Sequence, residues 1–524
     1  MADVPESMDP GPSQFTSTQA DQPSQVMEIR LRLPTLKIAE KMLRWIQPRF
    51  VLALMIGLYV VYFGTLTWSQ QSNFGTFDYD LGFFDQQVWL AAHHLNALST
   101  VRGLTMWANH VNPVIYLLVP FYWLGAGAHF LYLVQVVAIA SAAIPLYDMA
   151  RTRLGSPRLA LVVPFAWLLY PANEWMTSWA FHPEYLAMPA IIYAYWFAQR
   201  GRWLPYWMCV GLVLSTKEDA ALAIIALGAV LLIRGRTRVG LVTIAVAAAW
   251  FIICLDVIMP LATPGSTPTA LYQYSQFGTS LWSILFNIVR HPSHLVGAIF
   301  TWSHVHYYEQ LALPLGLLFA LSPVTLLLVV PTFLLNVTNN QGYPADIHYQ
   351  YTTYIATGLF IALVEGLGRI RQRPLLVLAC LVLAISSLFT NAIYSPSGLN
   401  QRVFHSGVWA LNPSAQTIEA TKLLARIAPD ASVSASYSIQ PHLAHRDHIY
   451  TWPNPWIRSY YGVNATQPRE SGLDANVIIL FLNEVSTSQS TLLEHLTGPN
   501  GTFRVLTRKD GVLLAVRKGR SANR

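Results

Sequence analysis

The run Phe50-Val51-Leu52-Ala53-Leu54-Met55-Ile56-Gly57-Leu58-Tyr59-Val60-Val61-Tyr62-Phe63-Gly64-Thr65-Leu66-Thr67-Trp68 contains no charged residue and follows Arg30, Arg32, Lys37, Lys41, Arg44 and Arg49. A helix that crosses the hydrocarbon layer needs about 20 mostly apolar residues, so this run reads as a first membrane span. No small-residue cleavage site accompanies it, so it is retained rather than removed as a secretory signal. The basic residues before it put the N-terminus in the cytoplasm. Residues 1–26 are polar, rich in Pro, Ser and Gln, and read as a disordered tail.

The rest of the chain has the same character. It is 53% hydrophobic and 11% charged, against about 25% charged residues in a soluble domain, so most of it dissolves in lipid. Further spans are expected at 128–149, 159–172, 183–199, 203–216, 220–233, 239–259, 311–322, 323–337, 351–367 and 374–391, about eleven in all. Residues 111–124, broken by Pro113 and Pro120, read as a re-entrant or interfacial piece. Cys209, Cys254 and Cys380 lie inside apolar runs, which indicates neither disulfides nor a metal knuckle. The net charge of +7 makes no case for nucleic acid, because the basic residues cluster between hydrophobic runs as topology signals.

Under this count Arg151, Arg153 and Arg158, then Arg200 and Arg202, then Arg234, Arg236 and Arg238, then Arg369, Arg371 and Arg373 all fall on the cytoplasmic side. The alternating loops hold only scattered basic residues such as Arg102, Lys217 and Arg290. The same parity sends Asp78, Asp80, Asp85, His110, His182, Glu184, Lys217, Glu218, Asp219 and His348 to the external face. Charge at membrane depth is costly and faces a cavity or a partner, so one polar site in a cavity at the outer surface is expected.

After Thr390 the pattern changes. Gln416 to Ile427 has amphipathic helical spacing. Strand-like runs follow at Ser432 to Ser436 and Val477 to Leu482, with a final hairpin through Phe503 to Leu506 and Val512 to Val516 around Lys509-Asp510-Gly511. The expected fold class is therefore mainly α, a polytopic transmembrane helical bundle with a small extracytoplasmic α/β domain at the C-terminus. Its parts are a basic N-terminal segment 1–45, a membrane domain 46–392 with a first external loop at 69–127, the α/β domain 393–518, and a tail 519–524.

The first loop carries Phe77-Asp78-Tyr79-Asp80-Leu81-Gly82-Phe83-Phe84-Asp85-Gln86-Gln87-Val88-Trp89. Asp80 stands where the N-cap of an interfacial helix would be. Equally, a carboxylate held just outside the first span suits a general base for an acceptor hydroxyl, and three crowded acids raise one another's pKa or recruit a cation. Phe181-His182-Pro183-Glu184 opens a span, with Glu184 where a helix dipole favours an acid, and His110-Val111-Asn112-Pro113 supplies another histidine. Lys217-Glu218-Asp219 reads either as a solvated turn or as a phosphate-binding lysine positioned by acids that could also hold a metal. Asn339-Asn340 through Tyr343-Pro344-Ala345-Asp346-Ile347-His348-Tyr349 reads as a wall of the same cavity. A phosphate-cradling Gly-rich loop, a nucleophile elbow, a His-Glu-x-x-His site and paired cysteines do not occur, which argues against ATP-driven transport and several hydrolase classes.

The ordered set Asp80-Leu81-Gly82-Phe83-Phe84-Asp85-Gln86, Phe181-His182-Pro183, Lys217-Glu218-Asp219, His348-Tyr349 and Pro441-His442-Leu443-Ala444-His445-Arg446 with Ile449-Tyr450 and Pro453 resembles a family of predicted bacterial membrane proteins of unknown function. The likeness covers roughly residues 50–518. That family in turn resembles the C-type glycosyltransferase superfamily, multi-helix enzymes that take a sugar from a polyprenyl phosphate carrier. The resemblance implies a bacterial cell-membrane protein acting on a polyprenyl-phosphate sugar donor and an envelope glycan, lipid or protein acceptor. It makes Asp80 the leading base, with Asp78 and Asp85 behind it, and assigns Lys217, helped by His182, to the leaving phosphate. A divalent cation is allowed by the resemblance and not required. A transporter or flippase for a lipid-linked saccharide would use the same cavity without breaking a bond, and a non-catalytic envelope scaffold would not need the acids.

Overall fold

The computed structural model describes residues 47–95, 98–262, 269–397, 404, 405, 407–458 and 474–519. The expected basic segment 1–45 lies outside the described residues, as does the tail after Gly519. Among the described residues, the helices Pro48–Ser72, Ala128–Leu154, Thr237–Ala262 and Arg373–Tyr394 are long and apolar enough to cross a membrane. Their outward faces are apolar, as a hydrocarbon solvent requires: Phe50, Leu54, Leu58 and Val61 on the first, and Leu378, Leu381, Ile385 and Phe389 on the last, are exposed.

Other expected spans take the form of shorter helices, Ala187–Gln199, Trp203–Leu214, Ala220–Ile233 and Thr353–Leu367. At about 1.5 Å per residue each falls short of the roughly 30 Å hydrocarbon layer. The 311–337 region departs further from its expected pair of spans. It is broken into Leu313–Leu315, Leu318–Leu321, Pro323–Leu326 and Val330–Val337, because Pro314, Pro323 and Pro331 withhold helical N–H groups and Gly316 and Leu317 turn into the left-handed region (φ +56° and +59°).

The two ends of the bundle are chemically different. Glu365, near the end of Thr353–Leu367, accepts from Arg153 Nη2 at 2.7 Å and Gln199 Nε2 at 2.6 Å, and lies 3.3 Å from Arg234 Nη2. Arg153, Gln199 and Arg234 each stand at a helix C-terminus, so one carboxylate ties four helix ends together. His182 and Glu184, Lys217 to Asp219, and His348 to Tyr351 stand at the opposite, N-terminal ends of three of these helices. The partition between arginine-rich and acid-rich ends expected from parity is thus present in the packing.

Close contact between Ala220–Ile233 and Thr237–Ile253 depends on glycine. A Cβ at Gly240 would meet the carbonyl oxygen of Gly228 at 2.7 Å and the backbone nitrogen of Leu232 at 2.8 Å, and small residues are what let helices approach in lipid. Gly240→Val is expected to force this pair apart and lower stability by about 1–3 kcal/mol, read as a drop in the thermal unfolding midpoint of the detergent-solubilised chain.

A two-stranded hairpin, β1 (Leu98–Ser99) and β2 (Leu104–Thr105), lies in the first loop. The C-terminal sheet contains β3 (Val433–Ala435), β4 (Ile449–Thr451), β5 (Val477–Phe481), β6 (Phe503–Lys509) and β7 (Val512–Arg517) in the order β4-β3-β5-β7-β6. The β3 strand runs parallel to β4 and β5; β7 runs antiparallel to β5 and β6. All of β5 is buried because both sheet faces are covered. Val477, Ile479 and Phe481 pack with the helix Ala415–Leu424 and with Phe74 and Val101 of the first loop. Ile478 and Leu480 pack with Leu493 and Leu496 of the helix Thr487–Thr497. The expected helix and strands are all found, and Asp510 and Gly511 close the final hairpin with positive φ.

Candidate functional site

The acidic stretch of the first loop forms a π-helical turn, Asp78–Gly82, that continues into the α-helix Phe83–Ala92. Neither segment has a side-chain cap, so Asp80 is not an N-cap. Gly82 packs closely here: a Cβ there would lie 1.8 Å from the amide oxygen of the buried Gln440. The turn therefore sits directly against the segment Gln440–Leu443 of the C-terminal layer.

The three acids diverge. Asp78 is buried and accepts a hydrogen bond from the Thr451 hydroxyl. Asp85 is buried, accepts from the Tyr122 hydroxyl at 2.6 Å and lies 3.0 Å from His445 Nε2. Asp80 keeps 28% of its side chain exposed and stands 3.4 Å from His182 Nε2. Burial pushes the His182 imidazole down, but the hydrogen bond and charge of Asp80 overrule it and hold the ring above the ordinary histidine value. His182 is delivered by Gln135, whose amide donates to the carbonyls of Met176, Thr177 and Trp179 at 2.8–2.9 Å. Satisfying those orphan carbonyls ends the helix Pro171–Ser178 and frees the chain to turn before His182.

The segment Lys217-Glu218-Asp219 is not a solvated turn, because Lys217 is 7% and Glu218 3% exposed. Lys217 Nζ lies 3.2 Å from Glu184 Oε1 and 3.1 Å from Asp219 Oδ2. Burial would depress the Lys217 ammonium, yet Asp219, Glu184 and Glu218 raise it well above its ordinary value. Glu218 lies 2.9 Å from His110 Nδ1 and accepts from the backbone N–H of Val111 at 3.1 Å. Burial pushes its carboxyl up, but His110 and Lys217 hold it below the ordinary glutamate value. The Val114 N–H donates to the Ser215 carbonyl at 3.0 Å and the Trp250 indole to the Leu214 carbonyl at 2.8 Å, which fixes this corner.

Two residues join the halves. Tyr351 places its ring 5.7 Å from Lys217 Nζ and lies within electrostatic reach of Asp80. Arg102 has its guanidinium 5.7 Å from the Tyr79 ring and 5.8 Å from the Phe83 ring, and Asp80 is its strongest charged neighbour. The sequence reading treats Arg102 as a scattered loop residue. Its position comes from the β1–β2 turn, which Gly103 beside it closes with a φ of +64°. That hairpin is bolted down by Ser99 donating to Gln86 at 2.7 Å and Thr100 donating to the Ile449 carbonyl at 2.6 Å. His348 is engaged elsewhere, with Asp346 and with Trp175 at a ring separation of 4.2 Å.

Beside this corner runs an apolar groove of about 420 Å³ lined by Pro113, Gly211, Leu214, Val246, Trp250 and Ile253. Among the described residues no three or more His, Cys, Asp or Glu side chains are grouped to hold a metal ion. Asp80 stands 3.4 Å from His182, and Arg102 and Asp78 are within its electrostatic reach.

Burial pushes the Asp78 carboxyl up to about 7, with the Thr451 hydrogen bond pulling the other way. Since an unfolded aspartate titrates near 3.9, the folded chain favours the neutral form. Its contribution to stability is therefore full below about pH 4 and lost as pH rises through about 7. Asp78→Asn is expected to flatten this loss, measured as the change in unfolding midpoint between acidic and alkaline buffer.

ArnT from Cupriavidus metallidurans bound to undecaprenyl phosphate matches with a TM-score of 0.52 at 12% identity, covering 88% of this chain and 97% of that chain. The apo form of the same protein gives a TM-score of 0.40 at the same identity and coverage. At this identity the likeness to the bound form is one of fold, the C-type glycosyltransferase fold. No curated protein sequence matches the chain. The model of the family described as Predicted membrane protein (DUF2079) matches residues 71–514, and the chain belongs to that family.

Proposed function

We propose that this membrane protein is a glycosyltransferase that moves a sugar from a polyprenyl-phosphate donor to an acceptor at the outer face of the membrane. The observation that carries the reading is the setting of Asp80: the half-open acid of the first loop, paired with His182, beside Arg102, at the end of the bundle where the apolar groove is lined by Leu214 and Ser215, just before Lys217 in the chain. A fold shared with a protein bound to undecaprenyl phosphate supports the choice of donor class.

In this reading the polyprenyl chain lies in the groove and its phosphate reaches the Arg102 and Lys217 corner. Asp80 accepts the proton of the acceptor hydroxyl as that oxygen bonds to the anomeric carbon. The carbon–oxygen bond to phosphate breaks, and polyprenyl phosphate leaves with the electron pair. Positive charge near that oxygen stabilises the leaving group. Arg102, whose strongest charged neighbour is Asp80, and Lys217, held by Glu184 and Asp219, are the two cations assigned to the phosphate, with Lys217 also holding the acids in place. The acceptor is an envelope glycan, lipid or protein. The 393–518 layer is assigned to an extracytoplasmic domain and residues 1–45 to the cytoplasm, because the basic residues gather at the other end of the bundle.

A transporter or flippase reading draws on the broken helices between Leu313 and Val337, since interrupted helices occur in transporters. The two part in one assay: purified chain in lipid with polyprenyl-phosphate sugars and a panel of acceptors. Sugar appearing on an acceptor supports the transferase. Donor that crosses the bilayer unconsumed supports transport.

A further inference from the structure

From Val257 to Tyr308 the chain contains no Asp or Glu, and its basic side chains are Arg290, His291, His294, His304 and His306. Within this stretch the helix Leu281–Arg290 sets Trp282, Leu285, Phe286 and Val289 on one face, and all four are exposed, Val289 by 82%. Ile284 is its one buried residue. The following helix, Pro292–Ile299, has no buried residue, and Phe300 and Trp302 beyond it are 78% and 90% exposed. The polar side is used internally: Asn287 donates to the Phe277 carbonyl at 2.7 Å, and Ser280 caps the helix through Ser283.

Ten residues make a helix of about 15 Å, half the roughly 30 Å needed to span. An amphipathic helix with aromatic residues on the apolar face and basic residues at its end suits the plane of the lipid headgroups. The preceding span, Thr237–Ala262, is itself lipid-facing, with Val257 and Leu261 exposed near its end. The apolar face therefore continues a surface already in lipid.

The turn before the helix, which Asn287 holds through Phe277, is tied to the Thr338–Asn340 loop. Gln276 donates to the Thr338 carbonyl at 2.6 Å, Asn339 to the Gln273 side chain at 2.9 Å, and the Asn340 N–H to the Gln273 carbonyl at 2.9 Å. Between these residues Tyr274 lies within electrostatic reach of Asp219 and Lys217.

We infer that the segment Leu281 to Trp302 is a membrane-surface anchor, seated in the leaflet at the Asp80 end of the bundle with Arg290 and the adjacent histidines against anionic headgroups. The inference is independent of sugar transfer. It is tested on the full chain with Cys209, Cys254 and Cys380 replaced by serine, carrying a nitroxide at Val289→Cys, at Phe286→Cys, or at Lys509→Cys on the exposed final hairpin. In phosphatidylglycerol-containing nanodiscs the first two labels are expected to collide several-fold more with dissolved oxygen, relative to a water-soluble nickel chelate, than the third. This preference should weaken in pure phosphatidylcholine and in Arg290→Gln. Nickel-dominated collisions at both Val289 and Phe286, or dipolar broadening from a second copy, would overturn the anchor. Equal depth in the two lipids would overturn its anionic preference.

Discussion

Asp80→Asn is expected to reduce sugar transfer by about 10²–10⁴-fold, the usual contribution of a positioned general base, while leaving the unfolding midpoint close to that of the native chain. The amide has the shape of the carboxylate and keeps an acceptor oxygen for His182, 3.4 Å away, but it cannot take a proton from the acceptor. The loss should fall on kcat rather than on donor KM, because donor binding is assigned to the groove and Arg102. His182 offers a second readout. Asp80 is what holds its imidazole above the ordinary value against burial, so in Asp80→Asn its titration should move to lower pH. Asp85→Asn is expected to act instead on the contact between the first loop and the C-terminal layer, through Tyr122 and His445. Full transfer by Asp80→Asn, together with its loss in an equally stable Asp85→Asn, would move the base to Asp85.

Lys217→Met is expected to destabilise the chain by about 3–5 kcal/mol, the penalty for breaking a buried ion pair from one side. Lys217 and Glu184 are both nearly inaccessible, and the ammonium is shared between Glu184 and Asp219 at 3.2 and 3.1 Å. Without it, two neighbouring carboxylates are left without their cation, and the chain must bind protons to neutralise them. The destabilisation should therefore be smallest in acid and grow as pH rises. Adding Glu184→Gln or Asp219→Asn to Lys217→Met should recover much of the loss by removing one of the stranded charges. The check is thermal unfolding in detergent across pH. A single variant as stable as the native chain at alkaline pH would show that Lys217 does not hold this corner together.

The parts of the fold legible in sequence are those set by local chemistry. The spans Pro48–Ser72 and Arg373–Tyr394 follow from uninterrupted apolar runs, and the β6–β7 hairpin follows from Asp510-Gly511 between alternating residues. The helix Thr487–Thr497 lies outside the expected elements although Ser486 and Gln489 form a capping box at its start, a signal present in the sequence. The β4 strand is three residues long and parallel to β3; so short a run carries no pattern of its own and owes its structure to its partner.

The site divides in the same way. His182 beside Asp80, and Lys217 beside Glu184, could be gathered from the parity of the spans. The π turn could not, since Asp80 followed by a helical apolar pattern has the local appearance of a capped α-helix. Arg102 could not either, because its importance comes from a hairpin secured to Gln86 and Ile449.

By itself the sequence determined that the chain lives in a membrane, that it carries the ordered motif set resembling its family, and that its basic and acidic residues part toward opposite ends of the helices. Those properties come from apolar run length and charge position, which act locally or through the bilayer. Which of Asp78, Asp80 and Asp85 stands open was decided only by tertiary structure. Thr451 and His445, the partners that occupy the other two, lie 373 and 360 positions away along the chain, and a carboxylate's solvation and pairing depend on what folds against it rather than on its neighbours in sequence.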